Sequence, residues 1–277
     1  PYVFGQIAAN HCLGDLYAMG ADPWTVLALA VVPPGPEEKM EEELFQMLSG
    51  ALVTLAEAGA NLVGGHSGEG PELALGFAVN GLITPGAEKR KSGMVQGDRL
   101  ILSKPLGTGA LFAAEMRGLA RGLWVETAIN TMLRSSRSAA ECLTAHGAHA
   151  MTDVTGFGFA GHLKEMLVAS GCSVSIDVQA IPILPGATDV IADGIESSLG
   201  PANRQAYMDL LDEPDAWSEE ELALLADPQT AGGVLAAVPA DQADACVARL
   251  QSQGDEDARI VGTVEPMRRA FPSLYRA

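Results

Sequence analysis

The sequence predicts an α/β protein on three observations. Short apolar runs of strand length alternate with longer amphipathic stretches, turns rich in glycine and proline separate them, and apolar residues fill 48% of 277 positions against 19% charged. That composition supports a core able to fold unaided, in one large or two medium domains, and excludes a disordered chain. The alternation alone leaves a doubly wound parallel sheet open. No strand–glycine-loop–helix unit carries a dinucleotide fingerprint, so that arrangement is not adopted.

Residues 5–20 read as a helix rich in Ala, Leu and Met. Residues 25–32 are apolar on both faces, as in a buried strand, and Pro33-Pro34-Gly35-Pro36 ends them. A long amphipathic helix follows at 37–59, with acids in the first turn where the helix dipole favours them. A short β-run at 61–63 leads into Gly64-Gly65-His66-Ser67, read as a loop, and 73–83 is a strand of small apolar residues. The charged, glycine-containing stretch 85–98 reads as a turn and linker, which divides the chain into residues 1–96 and 97–277. Beyond it come a strand at 99–103, helices at 109–117 and 125–146, a loop after Asp153, a helix ending by Gly171 and a strand at 172–178. The tail gives strand, helix and strand at 233–238, 240–254 and 259–264.

Net charge is −18, from 17 basic and 35 acidic residues, which argues against nucleic-acid binding because phosphate backbones need positive patches. A nucleotide remains compatible with such a chain when a divalent cation neutralises the phosphates. No apolar run approaches the ~20 residues that span a bilayer. The widely spaced Cys12, Cys142, Cys172 and Cys246 form no CxxC and suit a reduced, cytoplasmic setting; the last three fall on apolar positions of the core. His11, His66, His146, His149 and His162 show no paired spacing of a zinc site.

The most informative stretch is MTDVTGFGFAGHLKEML, residues 151–167. Asp153 is followed by Thr155, Gly156 and Gly158, and then a helix begins. Glycines at a helix start let backbone N–H groups approach an anion, whereas an acid there repels a phosphate unless a cation lies between them. The alternative is that Asp153 merely caps a helix. Asp15, in the apolar segment AANHCLGDLYAMGADP, is a second acid in a costly place, either a metal ligand or a hydrogen-bonded structural acid. Two further segments, ILSKPLGTGAL with Lys104, Gly107 and Gly109, and LLADPQTAGGVLAAV with Asp227, combine Gly and Pro at element ends, each weak alone. Lys104 is either a phosphate counter-charge or a surface lysine at a turn, the structural reading carrying more weight.

In order and spacing, NHCLGDLYAMGADP, LVGGHS, LSKPLGTG, MTDVTGFGFAGHL and ADPQTAGG resemble the selenophosphate synthetase (selenide, water dikinase) family. Its superfamily includes aminoimidazole ribonucleotide synthetase, thiamine-phosphate kinase and a hydrogenase maturation factor. The resemblance covers residues 2–265. It implies two α/β domains with mixed sheets, the first closing a β-barrel across a homodimer. It implies conversion of ATP, selenide and water to selenophosphate, AMP and phosphate, with Mg²⁺ as the cation. Asp15 and Asp153 would be metal ligands, with Asp15 also facing ATP. Gly64, Gly65, His66 and Ser67 would contact ATP, reaching across from the partner subunit. Gly107, Gly109, Thr155, Gly156 and Gly158 would shape the phosphate-side loops.

Two departures stand out. His11 and Gly14 replace an Asn and a Ser that are usual in the family, and Ser67-Gly68-Glu69-Gly70 replaces a Thr-Ile-Asp continuation. Both resemble the variant fused behind a flavin-dependent oxidoreductase, expected upstream. The family's opening segment, with a Cys and a Lys, does not match within these residues, so the catalytic residues stay unassigned and little activity is expected of the chain alone. Competing expectations are a sister kinase or synthetase, a non-catalytic dimerisation module, and a nucleotide-sensing domain.

Overall fold

Two glycines set how the first helices meet. In the computed structural model, which describes residues 1–267 and 270–277, α1 (Tyr2–Ala18) crosses α2 (Glu37–Glu57) with backbones in contact. A β-carbon at Gly5 would stand 1.9 Å from the Met47 carbonyl oxygen, and one at Gly50 would stand 1.9 Å from that of Tyr2. Any side chain there would force the helices apart. Beside them lies a three-stranded mixed sheet of order β2-β1-β3, open within the single chain. In it β1 (Asp22–Val32) pairs parallel with β2 (Asn61–Glu69) and antiparallel with β3 (Ala74–Leu82). Val26, Ala28, Ala30 and Val32 of β1 face the core, while Leu27 and Leu29 remain 41% and 56% exposed.

The second sheet is six-stranded, of order β5-β7-β4-β8-β6-β9. Its strands are β4 (Arg99–Leu102), β5 (Ala150–Asp153), β6 (Ser173–Ile176), β7 (Val234–Val238), β8 (Arg259–Glu265) and β9 (Leu274–Arg276). All pairings are antiparallel except β6 with β9, so both sheets are mixed, as the resemblance implies. Alternation decides the two faces. Leu100, Leu102, Leu235 and Ala237 enter one core, which also holds Leu111, Phe159 and Leu163. Ile101, Val234, Ala236 and Val238 enter the other, shared with Ala9, Leu13 and Tyr17 of α1. Helix α1 therefore belongs to the interior of both sheets, since Val26 lies in that same core.

The remaining helices are α3 (Thr108–Glu115), α4 (Gly122–Leu133), α5 (Arg137–Ala145), α6 (Gly158–Ser170), α7 (Ala187–Ala192), α8 (Gly200–Tyr207), α9 (Glu219–Ala226) and α10 (Ala240–Ser252). Three sequence readings need correction. The helix expected over 125–146 is broken between α4 and α5, where the Arg134 carbonyl accepts a hydrogen bond from Lys104 Nζ and Ser136 Oγ donates to the Gly232 carbonyl. Those long-range bonds hold Arg134 extended, at φ −70° and ψ 123°. The Gly64–Ser67 run is not a loop but part of β2, because pairing with β1 runs on through Leu27↔Gly64, Ala28↔Gly65, Leu29↔His66 and Ala30↔Ser67. Helices α7 and α8 and strand β9 were not foreseen as elements, and of α9 only the end before the Asp227-Pro228 turn was read; they are short, and tertiary packing rather than periodicity holds them.

Candidate metal and nucleotide site

The two acids singled out in the sequence come together. Asp15 lies exposed in the last turn of α1, and Asp153 ends β5 with 7% of its surface exposed. Their elements touch: a β-carbon at Gly14 would lie 3.5 Å from Asp153 Oδ2. That is an ordinary van der Waals distance, so α1 and β5 pack directly against each other here. Burial, and then the negative charge of Asp15, push the Asp153 carboxyl up to about 6. Lys91 pulls the other way and is outweighed. Like-charged carboxylates, one of them buried, are relieved by a divalent cation, and oxygen donors select a hard one.

Lys91 and Glu165 were missed in the sequence. Lys91 Nζ pairs with Glu165 Oε2 at 2.5 Å, and His162 Nδ1 lies 3.6 Å from the same oxygen. Lys91 sits in the stretch read as a linker, and the Met151 N–H donating to the Arg90 carbonyl at 2.9 Å brings it back over β5. The only sequence signal was its place in a basic run. Burial lowers His162 to about 4, so it is neutral, with Nε2 3.2 Å from Thr155 Oγ1; its reading as structural suits this contact.

The loop after Asp153 is held from several sides. Gln229 N–H donates to the Thr155 carbonyl at 3.0 Å, and Asn203 Nδ2 donates to the Gly156 carbonyl at 2.8 Å. Gly158 adopts φ +71°, and a β-carbon there would lie 2.7 Å from the Ala226 carbonyl. The two glycine motifs of the second half lock together. Gln229 Oε1 accepts from the N–H groups of Gly107 at 3.1 Å and Thr108 at 3.2 Å. Asp227 Oδ2 accepts from Gly109 N–H at 3.0 Å and from Gln229 Nε2 at 2.9 Å. The start of α3, which resembles an anion-binding helix end, is thus filled by the chain's own Asp227 and Gln229. Burial pushes Asp227 up to about 7.

Lys104 is not the surface lysine at a turn that its sequence suggested. Its side chain is 1% exposed, and Nζ donates to the carbonyls of Arg134 at 2.6 Å and Ala231 at 3.0 Å. Desolvation lowers its pKa to about 7. One turn before Asp15, His11 Nδ1 accepts from Ala231 N–H at 3.0 Å, tying α1 to the loop after α9. Burial lowers the His11 pKa, which keeps the ring neutral and able to accept. Between these elements opens a cleft of about 490 Å³ lined by His11, Thr108, Arg117, Gly156 and Thr230 among others.

Gly64, Gly65, His66 and Ser67 lie apart from this centre, exposed on β2. They line a cleft of about 370 Å³ together with Ala28 and Ala30 of β1 and Leu44 and Leu48 of α2. In register, His66 stands opposite Leu29, on the uncovered face of the sheet.

The fold and this arrangement define a class. A family model described as AIR synthase related protein, N-terminal domain, matches residues 1–83, and its C-terminal-domain counterpart matches residues 95–272. Hydrogenase maturation protein HypE, solved in complex with ATP, superposes with a TM-score of 0.75 over 99% of this chain and 76% of that one, at 18% identity. Thiamine-monophosphate kinase from Stenotrophomonas maltophilia K279a gives 0.73 over 99% and 78%, at 20% identity. At those identities the likeness is one of fold. Sequence is more specific. The selenide, water dikinase of Pelobacter propionicus is 41% identical over 272 residues, 97% of this chain and 77% of that protein. The one from Geobacter metallireducens is 38% identical over 274 residues, covering 98% and 78%. The chain belongs to the selenide, water dikinase family.

Proposed function

We propose that this chain serves the ATP-dependent synthesis of selenophosphate from selenide and water, with release of AMP and phosphate. The observation that carries the proposal is 41% identity to a selenide, water dikinase across 97% of the chain. The meeting of Asp15 with Asp153 supports it, because phosphoryl transfer from ATP needs its phosphate charge neutralised and held in line. These two carboxylates would hold Mg²⁺, which supplies that neutralisation when bound. Thr155, Gly156 and Gly158 hold the Asp153 loop in place through Gln229, Asn203 and the close passage of Ala226. Gly107 and Gly109 shape the neighbouring turn, and Lys104 anchors it from beneath.

We assign ATP contacts to Gly64, Gly65, His66 and Ser67, supported by their exposure and by the cleft they line. A homodimer seated on the Leu27–Leu29 face would bring His66 against the other subunit's acid pair. The division at residues 1–96 and 97–277 stays our reading, supported by the change of sheet across the irregular stretch before β4. A cytoplasmic setting is supported by the four free cysteines, and no helix among the described residues is long and apolar enough to cross a membrane. The upstream flavin-dependent oxidoreductase rests on the sequence resemblance alone.

The test is ATP turnover by the complete gene product, with selenide present, followed against Mg²⁺ concentration. Asp153→Asn and Asp15→Asn should each cut turnover by about a hundredfold or more while the fold persists, since Asn keeps the shape and loses the charge. A mere helix cap would tolerate Asn. Unchanged turnover and Mg²⁺ dependence in Asp153→Asn would overturn the metal assignment.

A further inference from the structure

Helices α5 and α10 press together against the face of the six-stranded sheet that carries Ile101, Ala236 and Val238. Between them, well apart in chemistry from the acid pair, three ligand atoms converge. Cys142 Sγ, His146 Nδ1 and Cys246 Sγ all lie within 4.8 Å of one another. The Cys142 Sγ to His146 Nδ1 distance is 3.7 Å. Around a tetrahedral cation with ordinary metal–sulfur and metal–nitrogen bonds, sulfur and nitrogen stand about 3.5 Å apart and two sulfurs about 3.8 Å apart. The Cys142–His146 spacing is therefore close to what an ion would impose, and Cys246 Sγ lies within about 1 Å of the separation a shared ion needs. Cys142 and His146 are four apart at the end of α5, so one helix face presents both, and Cys246 arrives from the opposing helix.

We propose that Cys142, His146 and Cys246 form a three-ligand site for one soft, thiophilic d¹⁰ cation, Zn²⁺ or Cu⁺, joining α5 to α10. Two thiolates and an imidazole select such ions, whereas the oxygen pair Asp15 and Asp153 selects a hard one, so the chain sorts its cations by donor type. Cys142 and Cys246 are 6% and 0% exposed, and His146 is half-buried, so the imidazole side is the way in. Zn²⁺ would complete four-coordination with a water on that side, and Cu⁺ needs no fourth ligand. In the metal-free chain His146 Nδ1 donates to the Cys142 carbonyl at 2.8 Å, since a carbonyl can only accept. Binding breaks that bond, turns Nδ1 off the carbonyl, moves its proton to Nε2 and releases one proton from each thiol, with no change of oxidation state. Burial holds both thiols protonated, Cys246 up to about 12, so affinity rises with pH. The site also bears on the acid pair through the chain: α5 leads through residues 146–149 into β5, which ends at Asp153.

Cobalt(II) is the spectroscopic probe, added to the purified, reduced chain under argon. The expected result is thiolate-to-cobalt charge-transfer absorption saturating at one ion per chain, then lost on displacement by Zn²⁺ or Cu⁺; the tighter competitor identifies the ion. Cys142→Ala and Cys246→Ala should abolish the band. His146→Gln, at a half-buried position that leaves the core intact, should weaken binding by more than about tenfold, the least expected when even an outer-shell partner of a metal is lost. No charge-transfer band in the parent chain would overturn the proposal. So would a band that survives in a folded Cys→Ala variant. If those variants fail to fold, His146→Gln decides, and parent-like affinity there overturns the site.

Discussion

The two sheets of this chain face opposite solvent problems. In the six-stranded sheet β7 is buried at every position, because both of its faces are covered, and its neighbour β4 alternates between two cores. In the three-stranded sheet β1 has the same kind of sequence, apolar at successive positions, but only one face is covered within the chain. Equal hydrophobicity thus has unequal consequences. One apolar strand contributes folding energy to this chain, and the other keeps part of its apolar surface available for a second surface to cover.

The largest test of that contrast is a pair of truncations. Leu235→Ala removes a fully buried side chain and should cost about 2–5 kcal/mol in denaturant unfolding. Leu29→Ala, at 56% exposure, should cost under about 0.5 kcal/mol. Leu29→Glu should leave the melting temperature almost unchanged and weaken self-association measured by sedimentation. Equal losses of stability at Leu29 and Leu235 would break the comparison.

A smaller effect comes from titration at the acid pair. The Asp153 carboxyl, raised by burial and by Asp15 to about 6, holds its proton more tightly in the folded chain than in the unfolded one, where such groups titrate near about 4. Folding stability from this group is therefore gained as pH falls from 7 toward 4 and lost as pH rises through 6. The full difference is on the order of 3 kcal/mol. Without Mg²⁺, the parent chain should lose more stability than Asp153→Asn between pH 5 and about 7.5. Mg²⁺ should close most of that gap. Asp227 shifts in the same direction but is common to both proteins, so it cancels in the comparison. Parallel pH profiles would remove the electrostatic account.

The smallest effect concerns how the halves are joined. His11→Ala removes the acceptor for the Ala231 N–H and should cost about 1 kcal/mol. His11→Asn, which offers a carbonyl oxygen, should recover part of it. Thermal melts of the two variants distinguish a bonding role from a space-filling one.

The legible parts of this molecule are those in which the signal is local. Asp15 and Asp153 stood out because an acid in an apolar or glycine-flanked run is costly, and the long α2 announced itself through its acids and its period. What escaped was set by distant partners. The strand character of Gly64–Ser67 comes from β1, since two glycines and a row of exposed residues carry no alternation of their own. Lys104 read as a turn lysine because nothing near it in sequence shows that two carbonyls, at Arg134 and Ala231, would take its charge inside. Asp227 was noticed only as part of a turn, and its bond to Gly109 joins residues 118 apart in the chain.

The glycine crossing of α1 and α2 has a consequence for how this protein would look to an unbiased mutational screen. Asp15 lies ten residues beyond Gly5 on the same rigid helix, roughly 15 Å along its axis. A side chain at Gly5 would push α1 off Met47 of α2, one at Gly50 would push α2 off Tyr2 of α1, and either would swing Asp15 off Asp153. Scored by activity alone, both glycines would rank with Asp15 and Asp153, though neither belongs to the acid pair. Scored by abundance as well, they would separate into a second group, the positions that aim the site instead of forming it.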